Sequence, residues 1–275
     1  MRWSWTALLL CVAQAVSAQP PVPTYIGQTK FDTGQDVVPV YEGWLRNADG
    51  SFTMVFGYFN RNWKEELAIP AGPDNKLEPG DPDRGQPTFF LPRRQMFTFR
   101  VQVPKDWGQQ ELTWTITAHG RTEKAFGQFS PEEEISERMI MTRGNLSPGE
   151  DDPNKPPAVT IEPVPSASVT SPLVLTALVT DDGLPKPRPA PKPRPGTQSD
   201  RPPDPRPRGL TVTWSQYRGP AKVTFDRTGA IAVTEGKAVT TAHFAEPGVY
   251  VLRATASDGA LQTRADISIA VSPGL

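Results

Sequence analysis

Cysteine is almost absent from this chain: its 275 residues contain one, Cys11, and that one falls inside an apolar leader. Thiol catalysis, disulfide scaffolding and zinc-thiolate centres are therefore excluded for everything beyond the leader. Histidine is nearly as scarce, with two, His119 and His243, both on positions that the local alternation turns outward. A histidine-based triad or metal centre needs a clustered base or several ligands, so both are expected at the surface. An excess of one charge is missing too. The 29 basic and 30 acidic residues give a net charge of -1, which supplies no global basic field to hold nucleic acid. Long apolar runs are also lacking, because Ala7 to Val16 is about half of the roughly 20 residues a spanning helix requires and Gln14 interrupts it.

What is abundant is proline. With 32 Pro beside 22 Gly, more than twice the usual proline share, the chain excludes a mostly helical fold. The leader itself reads as a secretory signal over 1–18: Arg2 is the positive n-region, and Val16, Ser17 and Ala18 place small residues where a signal peptidase cuts. Cleavage is expected after Ala18, which makes the product secreted or periplasmic with no transmembrane segment remaining. Lipidation of Cys11 is the weaker alternative, since Leu8, Leu9 and Leu10 precede it where a small residue is required.

From Val37 the sequence alternates as half-buried strands do. Phe52, Met54, Phe56 and Tyr58 share one face, opposite Thr53, Val55 and Gly57, and Asp49-Gly50 marks a hairpin before them. A second pair repeats the pattern, with Phe97, Phe99, Val101 and Val103 on one face, then Leu112, Trp114, Ile116 and Ala118. Pro70 to Pro87 reads as a long loop. Ser130 to Met141 is the one predicted helix, with Ser130 as cap, Pro131 in the first turn and Glu132, Glu133 and Glu134 at the positive end of the dipole. Together these predict a first β-sandwich over 25–143 with a short edge helix, then a linker over 144–157.

The region 158–275 shows seven short strands. Leu173, Leu175, Ala177 and Val179 point inward, followed by Leu210, Val212 and Trp214, by Tyr250, Leu252, Ala254 and Ala256, and by Ile267, Ile269 and Val271. Their outward neighbours are largely Thr, Ser, Arg and Asp. The predicted fold class is all-β: two antiparallel β-sandwiches in tandem, the second Ig-like by strand count.

The run Glu246-Pro247-Gly248-Val249-Tyr250-Val251-Leu252, followed by Ala254, Ala256, Ser257, Asp258 and Gly259, resembles the penultimate strand of bacterial Ig-like and PKD-like surface domains. Trp214-Ser215-Gln216-Tyr217-Arg218-Gly219-Pro220 extends the resemblance to the place of the core tryptophan. It implies that the Tyr250 hydroxyl makes a corner bond at the start of its strand and that Asp258-Gly259 opens the last hairpin. Leu175 and Leu252 stand near the positions where true immunoglobulins bear a disulfide. The first domain, with Val40-Tyr41-Glu42-Gly43-Trp44, resembles bacterial exported β domains of unassigned role, which implies no particular chemistry.

Within the second domain, Pro185 to Arg208 alternates Pro with Lys186, Arg188, Lys192 and Arg194 and continues through Arg201, Arg206 and Arg208, against two acids. The segment cannot bury enough apolar area to fold and reads as a disordered, cationic loop insertion able to contact anionic polymers. Tyr41, Trp44, Trp63 and Trp107 are the candidate ligand-binding aromatics, since such rings stack on sugars or anchor interfaces. Phe31-Asp32-Thr33-Gly34 lacks the second copy that an aspartic protease needs and reads as a turn. Asp81-Pro82-Asp83-Arg84-Gly85 lacks a bidentate Glu at calcium-loop spacing, and Glu150, Asp151 and Asp152 with Asp181 and Asp182 form a second acidic patch at the domain junction. No catalytic, metal or cofactor-binding residues are expected. The chain is expected to be an exported, non-enzymatic binding, adhesion or assembly module, its partner an envelope protein or a polysaccharide and not a specific nucleic acid. A carbohydrate-binding module accessory to a polysaccharide-active system is the alternative.

Overall fold

The computed structural model describes residues 30–146, 149, 151–186 and 209–274. The leader and its cleavage site lie outside the described residues, as do Arg188, Lys192 and Arg194 of the insertion. The described chain is nearly all β. Its first half holds β1 (Val37–Arg46), β2 (Phe52–Asn60), β3 (Leu67–Ala68), β4 (Asn75–Glu78), β5 (Phe89–Phe90), β6 (Arg93–Val103), β7 (Leu112–Ala118), β8 (Arg121–Gly127) and α1 (Glu137–Met141). One antiparallel sheet runs β1-β2-β6, a second runs β4-β7-β8, and β3 pairs with β5. Between the three-stranded sheets lie Met54, Phe56, Leu77, Phe99, Trp114 and Ile116, none more than 5% exposed. The Phe56 and Phe99 rings stack at 5.4 Å, and Trp114 meets Phe99 edge-on at 4.8 Å.

Four local expectations change. The stretch Pro70 to Pro87 contains a strand, β4, because Asn75 is fully buried. Its amide accepts from the Trp114 indole at 2.9 Å and donates to the carbonyls of Ile69 and Pro87, so the loop is tied into the core. Strand β2 is buried on both faces: Val55, expected outward, packs with Leu45, Phe97 and Ile140 in a second small cluster. Phe97 leaves the face of Phe99 because β6 bulges. Between the pairs Phe56↔Phe99 and Tyr58↔Gln95, β2 spends one residue, Gly57, and β6 spends Met96, Phe97 and Thr98, with Phe97 at φ 49°. The predicted helix is broken into a 3-10 turn over Pro131–Glu133 and α1, whose cap is Ser136 rather than Ser130. The break arises because the Ile135 amide donates to the Trp44 carbonyl at 2.9 Å, holding the chain extended beside β1.

The second half holds β9 (Ala158–Ile161), β10 (Ala167–Ser168), β11 (Leu173–Thr180), β12 (Thr211–Arg218), β13 (Val223–Phe225), β14 (Ala230–Ala232), β15 (Lys237–Phe244), β16 (Gly248–Ser257) and β17 (Gln262–Ser272). They form a four-stranded sheet β13-β15-β11-β9 against a five-stranded sheet β10-β17-β16-β12-β14. All pairings are antiparallel except β10 with β17, so the first edge of the fold is divided between the two sheets. This is an Ig-like sandwich, with two short strands, β10 and β14, beyond the seven expected. Leu175, Val212, Trp214, Tyr250 and Leu252 fill its core. The Tyr250 hydroxyl donates to the Glu246 carbonyl at 2.8 Å, the corner bond that the resemblance implied. A side chain at Gly219 would collide with the Tyr250 ring, which fixes glycine where β12 leaves the sheet.

Candidate functional site

The two sandwiches meet where both sheets are irregular. Strand β12 shifts register between Gln216 and Arg218. Gln216 stays inside the second sandwich, bonded to the Val223 amide and the Ala221 carbonyl, while Tyr217 turns outward and packs into the core of the first. There the Tyr217 hydroxyl donates to the Gly85 carbonyl, its backbone carbonyl accepts from the Thr88 amide, and Arg218 pairs with Asp83 at 2.7 Å. Burial pushes the Tyr217 phenol up to about 12.

The β6 bulge supplies the other half of the contact. It frees the carbonyls of Met96, Phe97 and Thr98 from the ladder, and two arginines of the second sandwich take them. Arg253 donates to Thr98 at 2.7 Å, and Arg264 donates to Phe97 and Met96. Arg253 is further held by a bidentate bond to Asp266 at 2.7 and 2.8 Å and lies 3.9 Å over the Tyr217 ring. Among the described residues Arg264 makes no ion pair. Burial, followed by the guanidinium groups of Arg253 and Arg143, pulls its pKa down to about 10, against the smaller opposing effect of the Asp266 carboxylate.

Beside this contact lies a cleft of about 1310 Å³. One wall is the outer face of β12, β16 and β17, and the register places its side chains in rows. Thr211 is level with Ser257 and Gln262, Thr213 with Thr255 and Arg264, and Ser215 with Arg253 and Asp266. The opposite wall carries Leu91, Gln95, Met96 and Thr98, and Arg143, Asn145 and Asn154 also line the cleft. Lys186 and Gly209, the described residues on either side of 187–208, line it as well. Asn154 is tied down by donating to Asp258 at 3.1 Å, and Asp258 accepts from the amides of Ala260 and Leu261.

The four aromatic candidates are not brought together. Trp44 and Trp107 are buried, with their indoles donating to the carbonyls of Ser130 and Gln110. Tyr41 is partly buried and donates to the Gln128 carbonyl at 2.8 Å, with burial, then Glu133, raising its pKa. Trp63 stays 42% exposed, with the Arg93 guanidinium 4.2 Å from its ring and 4.8 Å from Phe59. The histidines sit at the surface beside carboxylates, His119 with Glu65 at 3.2 Å and His243 with Asp226 at 2.8 Å. Asp32 pairs with Lys64 in a turn. Two of the junction acids are occupied, Asp152 by Arg138 and Asp182 by the amides of Lys155 and Leu184. Asp181 accepts from the Gly183 amide through one oxygen, and its other oxygen is buried without a partner among the described residues. Among the described residues no three His, Cys, Asp or Glu side chains are grouped to hold a metal, and no helix is long and apolar enough to cross a membrane. Tyr217, Arg253 and Arg264 were not singled out as site residues from sequence, because only the two bulges bring their partners to them.

No family model matches the chain, and no curated protein matches it. Among solved structures it is similar to the D00-D0 domain of intimin, at 11% identity over 86% of this chain and 100% of that one, with a TM-score of 0.28. It is similar also to the titin Ig tandem A164-A165, at 10% identity over 87% of this chain and 100% of that one, with a TM-score of 0.23. Scores this low leave the Ig-like assignment resting on the chain's own strand order.

Proposed function

We propose that the protein is an exported, non-enzymatic binding module, of the PKD-like surface type in its second sandwich, that captures an anionic polymer at the cleft between its sandwiches. The observation that carries this is the position of Lys186 and Gly209: the proline-rich insertion starts and ends at a cleft whose lining includes Arg143, Arg253 and Arg264. Lys186 adds its charge to these guanidinium groups, and positive charge gathered at the cleft raises the local concentration of polyanion. The leader supports export, to the periplasm or beyond.

The test is to replace residues 187–208 with a short Gly and Ser loop and to titrate both forms with polygalacturonate at rising salt. The full chain binds and weakens as salt screens it; the shortened chain binds less at low salt and responds less to salt. Equal binding with the same salt dependence in both forms would show that the insertion plays no part in capture.

A second reading is a neutral-carbohydrate surface at Trp63. The exposure of Trp63 and Phe31, whose backbones are joined by a 2.9 Å bond, favours it. Binding of dextran that is lost in Trp63→Ala would support it.

A further inference from the structure

The polar wall of the cleft has a composition that neither the core nor the sandwich contact requires. From Thr211 to Ser215 on β12, from Arg253 to Ser257 on β16 and from Gln262 to Asp266 on β17, every outward side chain is a hydroxyl, an amide or a charge. At strand spacing these rows cover about 14 Å along the strands and about 10 Å across them. Arg253 is consumed by Asp266 and Thr98, but the hydroxyls of Thr213 and Thr255 have no hydrogen-bond partner among the described residues, and both line the cleft. In the same row stands Arg264, a largely buried cation with carbonyl partners and no carboxylate among the described residues.

We infer that this face reads an acidic polysaccharide, with Thr213 and Thr255 bonding ring hydroxyls and the field of Arg264 and Arg143 receiving a carboxylate of the chain. The inference rests on the cleft reading above and names its ligand. A peptide adding as a strand is disfavoured because β12 and β16 are interior strands with paired backbones. Single-stranded nucleic acid is disfavoured because none of the three rows contains an aromatic ring for base stacking. A hydroxyl-rich ligand suits a wall of donors and acceptors that would otherwise be filled by water. Its acid groups meet the positive charge of Arg264, whose direct partners among the described residues are backbone carbonyls and no carboxylate.

The experiment uses the full chain and the variant Thr213→Val/Thr255→Val, which keeps side-chain shape and leaves Arg264 and its carbonyl partners in place. Each is titrated with polygalacturonate, with neutral dextran and with polyphosphate. The expected result is that the full chain prefers polygalacturonate to both others and that the double variant loses about tenfold in affinity for it, with polyphosphate binding and melting midpoint unchanged. If polyphosphate binds as tightly as polygalacturonate and the double variant binds both as the full chain does, the cleft reads charge alone. The saccharide inference then fails while the capture of polyanions stands. If the full chain binds neither polyanion, both fail.

Discussion

The hydroxyl of Tyr217, on the second sandwich, donates to the carbonyl of Gly85, on the first, and its ring is part of the first sandwich's core. A side chain carried by the second sandwich thus belongs to the core of the first. Tyr217→Ala is expected to cost about 3 to 5 kcal/mol, as other buried aromatic truncations do. Tyr217→Phe, which loses the hydrogen bond and keeps the ring, is expected to cost about 1 kcal/mol. Urea unfolding of the two variants measures the difference, and an equal cost for both would mean that the ring contributes nothing to the first core.

Stability should fall at both ends of the pH scale through this same contact. Burial pushes the Asp83 carboxyl upward, but the bonds from Arg218 and the Gly85 amide outweigh it and hold the group below the usual carboxylate range. Because the folded value lies below the unfolded one, near 4, its stabilisation is complete above that pH and is lost as pH falls through the folded value. Tyr217 has the opposite sign: with a folded value of about 12, its contribution is present below the unfolded value near 10 and is lost as pH rises from there through 12. Denaturant midpoints across pH should show both limbs, with Asp83→Asn shallower on the acid side and Tyr217→Phe on the alkaline side.

Trp214 fills the second core, yet its indole N–H is buried with no hydrogen-bond partner among the described residues. Trp214→Ala is expected to cost about 3 to 5 kcal/mol as a cavity. Trp214→Phe should cost clearly less, since it deletes the unsatisfied donor along with part of the ring. Circular dichroism melts distinguish them, and an unchanged midpoint in Trp214→Ala would remove the residue from the core.

Gly57 lies under the ion pair of Glu42 and Arg94, which crosses β2 at 2.7 Å with the Glu42 side chain buried. A Cβ there would collide with the Glu42 carboxylate and the Gln95 carbonyl. Gly57→Ala is expected to destabilise by about 2 to 4 kcal/mol through overpacking and separation of the pair. If the midpoint holds in that variant, the strand has room that the bulge geometry denies it.

Metal is expected to be dispensable for the fold. The acids nearest to a calcium pattern already have partners: Asp83 pairs with Arg218, Asp152 pairs with Arg138, and Asp182 accepts two backbone amides. Melting midpoints in excess calcium and in chelator should agree closely. A fall of about ten degrees in chelator would point to an ion-ordered junction instead.

The sequence by itself determined the all-β class, the second sandwich and most of its inward residues, from Leu173 to Val179 and from Tyr250 to Ala256. Strict alternation has a single physical meaning there: one face meets a core and the other meets water. It also showed the outward Thr, Ser, Arg and Asp of β12, β16 and β17 that now wall the cleft, although not that they stand in rows, because register is a relation between strands distant in sequence. What only the tertiary structure decided are the places where alternation fails. Phe97 crosses to a second cluster, Tyr217 leaves its own sandwich for the neighbouring core, and Val55 is covered on a face that a two-layer fold would leave open. Each depends on a bulge or on a segment packed from elsewhere in the chain, and local periodicity cannot register an extra residue whose only consequence is which distant carbonyl turns toward Arg253 or Arg264.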